Sequence, residues 1–126
     1  MARRRGFTLI ELLVVVVVIG LLAMIALPKL GGTKARALSA SIKADLHSLA
    51  TAQEVYLSEW ATYSTDTAQL AFHASSGVQL TIVDATANGW SATATHPAAI
   101  PSTCAMFIGS IAPAEPATSA GIIACQ

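Results

Sequence analysis

At 126 residues the chain holds one domain and an appendage, not two sizeable domains. Hydrophobic residues make up 54% and charged ones only 11%, greasier than an ordinary soluble domain, and the excess near the N-terminus points to a membrane segment. Formal net charge is zero, yet no basic residue follows Lys43, and so mildly acidic a remainder argues against nucleic acid as a main partner.

Residues 1–6 place Arg3, Arg4, Arg5 and Gly6 ahead of an apolar run that continues from Phe7 to Leu27, interrupted by Thr8, Glu11 and Gly20. A helix over that run reaches roughly 30 Å, the thickness of a bilayer core. The arginines stay cytoplasmic by the positive-inside rule, which puts the rest of the chain across the membrane. A secretory signal has a shorter apolar core and an Ala-x-Ala-like exit, absent here, so the anchor is expected to be retained. Glu11 is the anomaly, because an ionisable side chain in a membrane helix is costly and usually marks function. Either it snorkels to the interface, or it takes a cationic partner. A cut after Gly6 would create that partner at the amine of Phe7, in the same chain or in a neighbour, and the neighbour pairing would set the stagger of packed helices.

Gly6-Phe7-Thr8-Leu9-Ile10-Glu11-Leu12-Leu13-Val14-Val15 resembles the N-terminal motif of type IV pilins and of the related type II secretion pseudopilins. Pro28 falls where many of these proteins carry a helix-kinking proline. The resemblance implies cleavage between Gly6 and Phe7 by a prepilin peptidase and N-methylation of Phe7. It further implies an inner-membrane assembly machinery and polymerisation into a helical filament in which Glu11 neutralises a neighbour's Phe7 amine.

Pro28 lacks an N–H and its ring opposes the carbonyl of Met24, so a kink or opening is expected. Gly20, Gly31 and Gly32 each weaken a helix by about 1 kcal/mol relative to Ala. Gly20 to Gly32 is therefore read as a weak zone, either a plain boundary or a segment that melts and extends when subunits pack. A second helical pattern follows over residues 29–61, clearest from Thr33 to Trp60. Ala35, Leu38, Ile42, Leu46, Leu49, Gln53, Tyr56, Leu57 and Trp60 form one stripe, with Lys34, Lys43, Asp45, Glu54 and Glu59 opposite.

Residues 62–77 read as a connecting loop with Leu70 and Phe72 as plugs. Over residues 78–126, period-two alternation predicts strands at Val78–Val83 and Trp90–Thr95, joined by an Ala87-Asn88-Gly89 turn. Further strands are expected at Cys104–Ile108 and Gly121–Cys125. Cys104 and Cys125 have the wrong spacing for a redox or zinc motif. Export implies one disulfide between them, and two unpaired thiols is the alternative. The predicted fold is α+β: a long N-terminal helix, anchor plus amphipathic half, packed on a small antiparallel sheet with a C-terminal disulfide loop.

Chemistry is missing where an enzyme would show it. His47, His73 and His96 are scattered, Asp66 and Asp84 are placed in different loops, and Gly31-Gly32 lacks the phosphate-loop pattern. No catalytic, cofactor or metal residue is predicted, and Trp60 and Trp90 are read as core anchors. The expectation is a structural subunit: a prepilin that enters the inner membrane and ends in an extracellular type IV pilus for motility, adhesion or DNA uptake, alongside any minor pilins. The alternative is a pseudopilin of a type II secretion system; the resembling pilins usually staple their C-terminal loop, and the major pseudopilins typically lack the staple. A tip-binding module and a tethered monomer are further readings; the first lacks a basic patch in the sheet, the second leaves Glu11 unexplained.

Overall fold

The computed structural model describes residues 6–126, and the Arg3-Arg4-Arg5 leader lies outside the described residues. Its elements are one helix, α1 (Leu9–Trp60), and four strands, β1 (Gln79–Thr86), β2 (Gly89–Thr95), β3 (Thr103–Gly109) and β4 (Ala124–Cys125). The chain divides into two compact units, one ending at Thr33 and the other Lys34–Gln126.

In the first unit α1 is apolar round its circumference from Leu12 to Leu27, and each side chain from Leu9 to Thr33 is exposed. The helix is long and apolar enough to cross a membrane. It runs on through Gly20, Pro28, Gly31 and Gly32, so the kink or opening expected at Pro28 is not a break in the helix here. One missing N–H removes one bond, while the flanking Ala, Leu and Lys residues each add a bond on propagation.

In the second unit α1 buries Ala35, Ser39, Ile42, Asp45, Leu46, Leu49 and Gln53. The spacing of three and four residues puts these on one face, against a sheet ordered β1-β2-β3-β4 with every pairing antiparallel. Ile82 from β1, Trp90, Ala92 and Ala94 from β2, and Cys104 and Met106 from β3 complete that core, with Leu70 from the loop. On the other sheet face Ala105 and Phe107 are covered by Ala114 and Ala117 of the C-terminal segment. The sheet is thus sheltered on both faces of β3, and a small sheet gains independent stability from such cover.

Three local readings change. The alternation in β1 stops at Val83 because the register shifts between Ile82 and Asp84. That bulge leaves Val83 exposed and turns Asp84 to the face of its partner Ser91, so Asp84 belongs to a strand rather than a loop. The turn is Ala87-Asn88, with Gly89 already the first residue of β2. Asn88 is not left-handed; Gly89 is needed instead because a Cβ there would strike the Ile108 carbonyl oxygen. The fourth strand is only Ala124–Cys125, since Gly121 at φ 77° gives its N–H to the Phe107 carbonyl before the ladder resumes.

Two side chains exchange roles on α1. Asp45, expected on the polar side, is buried, where its carboxylate accepts from the Ser75 N–H and hydroxyl at 2.8 Å each. Trp60, expected in the core, is 65% exposed and stacks on Tyr56 with ring centroids 6.1 Å apart. Trp90 is fully buried.

Candidate functional site

Phe7 and Thr8 precede the helix, and Gly6 and Phe7 are exposed. A Cβ built on Gly6 would meet nothing within 4 Å. The Gly6–Phe7 peptide bond therefore lies in open, non-helical chain, where a peptidase can reach both sides of it. A bond inside the helix would first have to be unwound.

Glu11 is engaged locally. The Thr8 N–H and the Thr8 hydroxyl both donate to Glu11 Oε2 at 2.8 Å, and the Glu11 N–H donates to Thr8 Oγ1 at 3.3 Å. This is a reciprocal capping box: Thr8 caps the helix and Glu11, three residues on, reaches back to the cap. Its sequence signature is the Thr-x-x-Glu spacing. Phe7 lies just outside the helix, next to the Thr8 cap that holds Glu11. The cap holds the carboxylate at the end of α1 nearest Phe7.

Gly20, Gly31 and Gly32 have open space where a Cβ would stand. Among the described residues no close approach requires glycine there, so their helix-weakening effect is unrelieved by packing in a single copy. Pro28 lies inside the helix between them.

Loop 62–77 is tied to α1 at two points, one buried and one half-buried. Gln53 Nε2 donates to the Ser64 carbonyl at 2.6 Å, and the Ser64 N–H donates to Gln53 Oε1 at 3.0 Å. Asp45 holds Ser75 as described above. At the exposed edge the Tyr63 hydroxyl donates to Glu54 Oε1 at 2.9 Å. Burial first, and then the hydrogen bond to Glu54 and its charge, hold the Tyr63 phenol above the ordinary tyrosine range. These clamps are long-range pairings that no local spacing announces.

Cys104 and Cys125 are joined in a disulfide across β3 and β4, at directly paired positions with Cα atoms 4.0 Å apart. His47 and His73 are exposed on helix and loop, and His96 Nδ1 accepts from the Ala98 N–H at 3.1 Å just after β2. The three histidines do not converge on one another, and among the described residues no three His, Cys, Asp or Glu side chains gather as metal ligands would.

Comparison with known proteins bears on the same stretch. Residues 1–27 match the family model described as the prokaryotic N-terminal methylation motif. The type IV major pilin protein PilA of Myxococcus xanthus is 48% identical over 62 residues, covering 49% of this chain and 28% of that protein. The type II secretion system core protein G of Klebsiella pneumoniae is 40% identical over 65 residues, 52% of this chain and 46% of that one. The type IV wide pilus major component PilA4 of Thermus thermophilus is 33% identical over 100 residues, 76% of each chain. The chain thus spans less than half the length of the first two relatives and three quarters of the third.

Proposed function

This chain belongs to the family of type IV pilins and type II secretion pseudopilins, and we propose that it is the precursor of a type IV pilus subunit. A prepilin peptidase cuts between Gly6 and Phe7, the new amine of Phe7 is N-methylated, and the mature chain polymerises into a filament. The chain is a structural subunit and not an enzyme.

One observation carries this reading: apart from Glu11, Lys29 and Thr33, α1 from Leu9 to Thr33 is apolar or glycine, and it is exposed throughout, with no cover among the described residues. A helix of that kind needs lipid or other helices as its surroundings. Lipid serves before assembly, with Arg3 to Arg5 on the cytoplasmic side; packed copies of the same helix serve afterwards, outside the cell. Removal of the leader places the Phe7 ammonium beside the capping box, and among packed helices a neighbour's amine offers Glu11 the opposite charge that lipid withholds. The unsupported glycines and Pro28 give Gly20 to Gly32 the means to unwind during that packing.

The match to the Klebsiella core protein G favours a second reading, a pseudopilin whose short filament serves secretion. The Cys104–Cys125 staple, together with 76% coverage of the Thermus wide-pilus component, favours the pilus. Gly6→Val tests the processing step. The precursor should accumulate in membranes uncut, and mass spectrometry should find no chain beginning at methylated Phe7; normal cleavage of that variant would contradict the assignment.

A further inference from the structure

In the second unit the exposed charges on α1 are segregated by sign. Its Lys and Arg residues, Lys34, Arg36 and Lys43, lie in the first half of the Lys34–Trp60 part of α1, while Glu54 and Glu59 lie in the last third. Arg36, Lys43 and Glu54 are separated by seven and eleven residues, close to two and three turns, so they share one edge of the helix. All three side chains are exposed.

Between the two cations lies a shallow groove lined by Arg36, Ser39, Ala40, Lys43, Ile100 and Pro101. Ile100 is 71% exposed there, and its N–H donates to the Ala35 carbonyl at 3.3 Å, which fixes the groove wall to the helix. The acidic end has the matching parts. Glu54 is steadied by the Tyr63 hydroxyl, and the neighbouring Val55 is an exposed apolar side chain. A carboxylate that accepts one hydrogen bond retains acceptor capacity for a guanidinium or ammonium.

We propose that the Arg36–Lys43 groove receives the Glu54–Val55 edge of a second copy of this chain, with Val55 against Ala40 and Ile100. The inference rests on the filament reading above, which makes copies parallel because they leave the membrane the same way round. Parallel copies in register would set Arg36 and Lys43 against their own kind. Axial displacement by eleven to eighteen residues, about 16–27 Å of helix, sets them against Glu54 instead, so this contact joins a different pair of neighbours from the pair that Glu11 and the Phe7 amine would join at about four residues' displacement. Exposed ion pairs add little strength singly, so their role is to select this stagger over others, and a filament repeats the choice at every subunit.

Cysteine cross-linking of the full chain in filament-forming cells tests the docking. Ala40→Cys with Val55→Cys leaves every charge in place, and fifteen helical residues hold the two sulfurs about 22 Å apart within one chain, beyond disulfide reach. Sheared filaments of the double variant should give a reducible ladder of dimers and higher multimers, and either single variant should give none. Filaments of the double variant without a ladder would overturn the proposal. A charge exchange reads the same contact independently: Lys43→Glu should lower filament yield about tenfold at unchanged membrane levels, and adding Glu54→Lys should restore it. Normal yield from Lys43→Glu would equally overturn the docking. Wild-type cells that shed no filament of this chain would instead remove the filament reading itself.

Discussion

Replacing Gln53 by Leu isolates the buried clamp between α1 and the connecting loop. Leucine keeps most of the side-chain volume, so packing on the buried face of α1, where Leu49 lies one turn back, changes little. What disappears is a pair of hydrogen bonds, at 2.6 and 3.0 Å, to the carbonyl and N–H of buried Ser64. A buried polar group left without a partner costs about 1–3 kcal/mol, and two are stranded at once. Set against the modest gain from burying an apolar side chain, the net loss is about 2–4 kcal/mol. For a unit of this size that lowers Tm by roughly 10 °C or more. Thermal unfolding of the full chain in detergent micelles, followed by circular dichroism and by the fluorescence of buried Trp90, reads the shift. Thr51→Ala, on the exposed side of the same helix, should stay within about 0.5 kcal/mol of wild type. A Gln53→Leu midpoint indistinguishable from that control would refute the claim that this amide anchors the loop.

Three further outcomes follow from the same geometry. Glu11→Gln keeps a residue that can complete the capping box but removes the charge, whereas Thr8→Ala keeps the charge and breaks the cap; electron microscopy of cell surfaces should find filaments lost in the first and largely retained in the second. Cys104→Ser with Cys125→Ser opens a loop with a sequence separation of 21 and should lower stability by about 3 kcal/mol in denaturant titrations of the full chain. Tyr63 has its phenol pKa raised, so the folded chain holds that proton more tightly than the unfolded one. Its contribution is complete below the ordinary tyrosine pKa and is lost as pH climbs through the raised value. Melting midpoints should therefore fall more steeply on the alkaline side in wild type than in Tyr63→Phe.

The apolar anchor, the buried stripe Ile42-Leu46-Leu49 and the alternation of β1 and β2 are all written locally, in periods of 3.6 and 2, and the structure has them. The departures come where a distant partner decides. Asp45 has the composition of a surface position and is buried because Ser75, thirty residues on, supplies two donors. Trp60 continues the stripe by spacing, yet it stacks on Tyr56 at the end of α1, where Ala61 turns the chain with a φ of 54°. Gly89 looks like half of an Asn-Gly turn, but the backbone of β3 alongside it is what excludes a side chain. At the N-terminus the unusual carboxylate is plain in the sequence and its partner is not. The apolar run directs attention to a missing cation, while the Thr8-x-x-Glu11 spacing encodes the cap that holds Glu11 before any cation is available. The disulfide lies between these cases: two cysteines and an exported context suggest it, and only the pairing of β3 with β4 brings them face to face.

If the proposed function holds, this chain, cut and methylated at Phe7, is the substance of a surface filament. Filaments sheared from cells that express it, purified and analysed by mass spectrometry together with electron microscopy, test it most directly. Their bulk component should be this chain beginning at N-methylated Phe7, with Cys104 and Cys125 joined. Filaments built of another protein, or a chain that stays in the membrane with Arg3 to Gly6 still attached, would contradict it.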